Sequence, residues 1–137
     1  MQPDRRHLEE IPRDECLRLI ATVPVGRIIY TRQALPAVEL VNFAMHDGDI
    51  VFRTSSSGKL AAAIRGAIVA FEVDQLDRAA RTGWSVTTIG PSCEVSDPDD
   101  DERLRGIGLT SWAPGGREHF VRISPGIVNG WMLRSGS

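Results

Sequence analysis

The sequence predicts a mainly β fold, a small antiparallel barrel with short helices at its periphery. Three observations carry this. Short stretches rich in β-branched and aromatic residues recur at 27–31, 36–45, 49–54, 67–73, 84–95, 119–124 and 127–133, punctuated by turn signals such as Asp47-Gly48. No long helix separates successive strands, which argues against a parallel, doubly wound sheet. Gly90-Pro91 interrupts the longest predicted strand, as expected where a strand bends at a barrel corner.

The elements follow in order. Residues 1–10 are polar and read as frayed. Pro12 suits a first helical turn, Asp14 and Glu15 sit near the positive end of the helix dipole, and Leu17, Ile20 and Ala21 share one face. Pro24 and Gly26 end that helix, and a short strand follows over 27–31. Pro36 opens a second extended stretch through Met45, and Asp47-Gly48 folds it back on 49–54 as a hairpin. Residues 59–65 read as a short helix closed by Gly66. The run 67–73 is apolar except for Glu72, as in a buried strand. Pro98 and the acids after it start a third helix. Residues 119–124 and 127–133 read as a closing pair of strands around Pro125-Gly126. The count is six or seven strands and three short helices.

At 137 residues the chain suits one domain over 1–137, large enough to bury a core unaided. The net charge of −2 and the arginines scattered among acids give no footprint for nucleic acid. No secretory segment or long apolar run is present, so a cytoplasmic protein without a membrane span is expected. Cys16 and Cys93 lack metal-type spacing and read as buried, reduced thiols. His7, His46 and His119 show neither metal spacing nor a nearby nucleophile, so surface or structural roles are expected. No side chain is nominated as a catalytic acid or base, and no metal is expected. An enzyme built from this inventory needs a cofactor to carry its chemistry.

The single lysine of the chain, Lys59, lies in Phe52-Arg53-Thr54-Ser55-Ser56-Ser57-Gly58-Lys59-Leu60. A strand end, a loop of hydroxyls and a lysine at a helix start can donate several hydrogen bonds to an anion. The same letters also suit a polar turn with a solvated lysine. A nucleotide-hydrolysing P-loop is excluded, because Arg53 stands where the first glycine is required and Leu60 where the magnesium-binding hydroxyl is required. Trp84, Trp112 and Trp131 suit either core filling and loop anchoring or the wall of a pocket for a flat ring.

Five stretches in order resemble the pyridoxamine 5'-phosphate oxidase-like family of FMN-binding split barrels, over about residues 8–133. They are Glu15-Cys16-Leu17; Val25-Gly26-Arg27-Ile28; Val41-Asn42-Phe43 leading through Asp47-Gly48 to the lysine loop; Gly83-Trp84-Ser85-Val86 with Gly90; and Trp112-Ala113-Pro114-Gly115 followed by Val121-Arg122-Ile123-Ser124-Pro125. The resemblance implies a six-stranded antiparallel split barrel that forms a homodimer, with FMN in clefts between the subunits. It implies that Thr54, Ser55 and Lys59 hold the flavin phosphate and that the backbone of Val41, Asn42 and Phe43 lies along the ring system. Ser85 would reach the flavin with Trp84 beside it, and Trp112 would close the site from the second subunit. Gly58 stands where the oxidase proper has an arginine, which points to Arg53 as the replacement cation. The arginine-rich substrate signature of the oxidase is absent after Pro125, so vitamin B6 oxidation is not expected. The implied function is an oxidoreductase moving hydride between a reduced donor and a small molecule. The alternatives are a non-catalytic flavin-binding module and a deazaflavin-dependent reductase of the same fold.

Overall fold

The structure is a computed structural model and describes residues 8–55, 60, 64–109 and 118–135. Eight strands and two helices of eight residues each are present among them: β1 (Leu8–Glu10), α1 (Arg13–Ile20), β2 (Val25–Arg32), β3 (Leu35–His46), β4 (Asp49–Ser55), β5 (Ile68–Asp77), β6 (Thr82–Glu94), α2 (Pro98–Arg105), β7 (Glu118–Ile123) and β8 (Ile127–Leu133). The sheet runs β1-β8-β6-β5-β2-β3-β4-β7, and a further β6–β7 pairing closes it. Strands β2 to β7 form the six-stranded barrel expected, while β8 and β1 extend from the open side of β6. This is the split of a split barrel.

Two expectations about the strands are corrected. Leu8–Glu10 is not frayed, because it pairs antiparallel with the edge of β8 (Leu8↔Leu133 to Glu10↔Trp131). Strands β7 and β8 do not pair with each other. Both run along the same edge of β6, β8 against Gly83 to Ile89 and β7 against Ser92 to Glu94. Ser124-Pro125-Gly126 is the kink between them, where one interrupted strand leaves the open sheet to close the barrel against β4. Arg13, at the start of α1, donates to the Pro125 and Gly126 carbonyls and fastens this kink.

The turns follow local chemistry. Asp47 and Gly48 both have positive φ (50° and 80°), as a tight hairpin between β3 and β4 requires. Gln33 and Ala34 adopt the same left-handed conformation between β2 and β3, with no glycine to relieve it.

Inside the barrel, Ile28, Ile50, Phe52, Ile64, Phe71, Val73, Val86 and Ile123 are fully or nearly fully buried. Phe71 meets Phe43 edge to face, with ring centroids 4.9 Å apart. Its ring occupies the space that a side chain at Gly26 would need, which explains the glycine of the Val25-Gly26-Arg27-Ile28 motif. Helix α1 covers the other end, with Cys16 against Gly130. Burial pushes the Cys16 thiol up from its ordinary pKa. Cys93, expected buried, is exposed, because the alternation of β6 turns Ser92 inward and its neighbour outward. A second small core of Val51, Leu104 and Phe120 lies under α2, on the outer side of β4 and β7.

Candidate functional site

The β3–β4 ladder runs only from His46↔Asp49 to Phe43↔Phe52. Beyond that pair, β3 continues beside β2 (Asn42↔Val25 onward) and β4 continues beside β7 (Arg53↔Phe120 to Ser55↔Glu118). The two strands part and leave a notch, with Val41 and Asn42 on one bank and Arg53, Thr54 and Ser55 on the other. Six residues singled out in the sequence therefore meet at one place through their backbones, with Phe43 at its closed end.

Their side chains diverge, because neighbours on a strand point to opposite faces. Val41, Phe43 and Thr54 point inward and are buried, whereas Asn42 is half-buried on the outer face. Trp84 also points inward. It is 8% exposed at the floor of a cleft of about 940 Å³ between the β5–β6 hairpin and the end of β8, with Gln75, Met132 and Arg134 around it. Ser85 takes the outer face. The side chain of Ser55, and all of Lys59 and Trp112, lie outside the described residues.

Arg53, named as the replacement cation, takes the outer face of β4. Its Nε lies 2.6 Å from Glu118 Oε2, its Nη1 donates to the Leu109 carbonyl at 3.1 Å, and its guanidinium stacks over Phe120 at 5.4 Å. It is held in the small core beneath α2, on the side of β4 opposite Thr54.

Facing residues of antiparallel neighbours share a side of the sheet, so the register reads as rows across the outer face. One row is wholly apolar: Val38, Ile29, Ala70, Ile89 and Ile127, on β3, β2, β5, β6 and β8. The next is Leu40, Arg27, Glu72, Thr87 and Asn129. Then come Asn42 and Val25 on one side, and Asp74, Ser85, Trp131 and Glu10 on the other. A further row sets Leu76, Gly83, Leu133 and Leu8 together. A polar belt thus lies between two apolar margins, and both Asn42 and Ser85 stand on it. They are three strand spacings apart, roughly 14 Å.

Two groupings escaped the sequence reading. Arg27 Nη1 lies 2.9 Å from both Glu72 Oε2 and Asp74 Oδ2 in the middle of the belt. Burial, and then the neighbouring Asp74 carboxyl, push Glu72 up to about 7 against the pull of Arg27. The lone acid in the apolar run 67–73 was the available signal. At the barrel end, His119 stands opposite Thr54 on the inner face and its Nδ1 lies 2.9 Å from Glu94 Oε1, a pairing across strands that spacing along the chain does not reveal. Among the described residues no three His, Cys, Asp or Glu side chains gather as a metal requires, and no helix is long and apolar enough to cross a membrane.

The profile of the pyridoxamine 5'-phosphate oxidase family matches residues 12–131. The chain belongs to that family. Within it, the chain is 42% identical over 130 residues to the uncharacterized protein Rv0080 of Mycobacterium tuberculosis, covering 91% of this chain and 85% of that one. Among solved structures, it resembles the FAD binding protein from Mycobacterium smegmatis at 30% identity and a TM-score of 0.77, covering 91% of this chain and 97% of that one. A Corynebacterium glutamicum structure described as a pyridoxamine 5'-phosphate oxidase shares the fold at a TM-score of 0.80 and 23% identity, covering 100% and 99% of the two chains. The split barrel of this family member is thereby shared along essentially its whole length.

Proposed function

We propose that this family member is a cytoplasmic, homodimeric flavoprotein, with FMN bound against the outer polar belt and the β3–β4 notch. The observation that carries the reading is the notch itself. It parts the backbones of β3 and β4 beside a half-buried residue, Asn42, in line with a belt that carries the Ser85 hydroxyl. A fused ring system with polar atoms on one edge and apolar flanks matches such a surface. The FAD-binding relative from M. smegmatis supports a flavin as the ligand, and makes FAD the second reading beside FMN.

In this reading Asn42 and Ser85 orient the ring edge, while Thr54, Ser55 and Lys59 serve the phosphate, as the family resemblance implies. The apolar rows on either side of the belt support association with a second copy, since contiguous apolar surface of this kind marks an interface. Val38, Ile127 and Leu76 are each about 60% exposed on it. When bound, the flavin would supply two-electron hydride chemistry between a reduced donor and a small molecule; the chain supplies binding, orientation and shielding from water.

Purified protein should show flavin absorbance or bind added FMN with quenching of the flavin fluorescence. Parallel titrations with FMN, FAD and a deazaflavin identify the cofactor. Binding of none of the three would overturn the reading. Reduction of the loaded protein by candidate donors, followed by reoxidation with candidate acceptors, separates an oxidoreductase from a binding module.

A further inference from the structure

In the reading above, Lys59 is the one cation assigned to the flavin phosphate, a group of about two negative charges. Gly58 stands where the oxidase proper has an arginine, and Arg53 is bound to Glu118 on the outer face of β4. The inner face of the same barrel end carries another candidate. His119 is the cross-strand partner of Thr54, and its Nδ1 lies 2.9 Å from Glu94 Oε1. The second oxygen of that carboxylate, Oε2, lies 3.8 Å from Arg65 Nη2.

These three side chains line one small hollow together with Thr54 and Ile64. Ile64 is fastened beside it by Ser92, a buried residue of β6 that donates its hydroxyl to the Ile64 carbonyl and its N–H to the Ala67 carbonyl. Thr54 and Ile64 bracket Lys59 in the chain, so the loop that bears the lysine leaves from this cluster and returns to it.

We propose that His119, oriented by Glu94, is the second positive group of the flavin phosphate site. The inference rests on the flavin reading above and adds a residue that neither the lysine motif nor the family resemblance names. With Nδ1–H donated to Glu94, Nε2 is the ring nitrogen left for a ligand. A phosphate is met there by Nε2–H of the doubly protonated ring, in a charge-assisted hydrogen bond. His119 and Arg65 then oppose two positive charges to the one negative charge of Glu94, and the cluster is net positive toward the anion. The hollow measures about 10 Å³, room for a single water, so the phosphate sits at its rim. The His119 side chain is open there, at 27% exposure.

Titration of the flavin-free chain with FMN and with riboflavin, which differ only in the phosphate, reads the assignment directly. Wild type should bind FMN at least tenfold more tightly than riboflavin. His119→Gln should weaken FMN about tenfold and leave riboflavin within about twofold. His119→Arg, which keeps a positive charge, should restore most of the FMN affinity. Unchanged FMN affinity in His119→Gln overturns the proposal and leaves the flavin reading standing. Equal loss of both ligands makes His119 a structural residue and overturns it too. A wild-type chain that binds riboflavin as tightly as FMN, or a His119→Arg chain no better than His119→Gln, overturns the role given to the charge. A wild-type chain that binds neither flavin overturns the flavin reading and this inference together.

Discussion

The Cα of Gly90 presses against the Ser124 carbonyl, so that any side chain at Gly90 would collide with backbone on the far side of the contact. The closeness has a function in the fold. Gly90 lies where β6 exchanges β8 for β7, and Gly126 N–H bonds to the Ile89 carbonyl while Ser124 N–H bonds to that of Pro91. The crossing strands can be stitched this tightly only without a Cβ. Gly90→Ala should therefore cost about 3 kcal/mol, because neither partner is a flexible side chain that can move aside. Chemical denaturation reads the loss. A change below about 0.5 kcal/mol would show that the kink yields.

Arg53 and Lys59 should separate cleanly by what each variant damages. Arg53 is bound to Glu118, Leu109 and the Phe120 ring, so Arg53→Met should lower stability by about 1–2 kcal/mol through the lost ion pair and stacking. Its FMN affinity should stay within about twofold. Lys59→Ala should weaken FMN at least tenfold, the loss of a charge-assisted phosphate contact. Paired denaturation and flavin titrations decide it. An Arg53→Met protein of full stability and poor FMN affinity would reverse the assignment.

Tyr30 is the single tyrosine of the chain, which makes its ionisation directly visible in the ultraviolet spectrum. Burial, and then its 2.7 Å hydrogen bond to Glu39, push the phenol up to about 12. The folded chain keeps the phenolic proton where the unfolded chain gives it up. The contribution of this group to stability is therefore intact below about pH 10 and lost as the pH rises toward about 12. Phenolate absorbance should be absent at pH 10 in the native protein and appear earlier in Glu39→Gln. A native midpoint near 10 would mean that Tyr30 is neither buried nor held by Glu39.

Much of the fold was legible because its signals are local. The Asp47-Gly48 hairpin and the acidic helix start at Pro98 follow from neighbouring letters and stand where expected, whereas β6 runs unbroken through Gly90-Pro91, which mark its change of partner from β8 to β7. What failed was set by partners distant in sequence. Leu8–Glu10 is a strand because β8 offers it an edge, and β7 and β8 align on β6 although the turn between them reads as a hairpin. The candidate site divides the same way. The motif residues gather by backbone at the notch, but which face each side chain takes depends on strand parity and on what lies opposite. The contacts of Arg53 with Glu118 and Phe120 are not legible in its motif, because both lie more than sixty positions away along the chain. The Arg27–Glu72–Asp74 cluster was equally hidden, since its register joins strands more than forty positions apart.

The turn between β2 and β3 is the part of the molecule where local preference and imposed geometry disagree most openly. Gln33 and Ala34 carry φ of 52° and 64° in a two-residue link between Arg32 and Leu35, a geometry that asparagine and glycine adopt with little strain. Each left-handed residue with an ordinary side chain costs about 1–2 kcal/mol, offset in part for glycine by the entropy of its unfolded chain. Gln33→Asn with Ala34→Gly should thus raise stability by about 1 kcal/mol. The melting temperature should rise by about 3 °C for a chain of this size. Because the turn lies at the end of the hairpin away from the notch, flavin affinity should not change. A lowered melting temperature would mean that the turn relaxes to another form in solution, and hydrogen exchange at Arg32 and Leu35 would then report weakened pairing at the hairpin end.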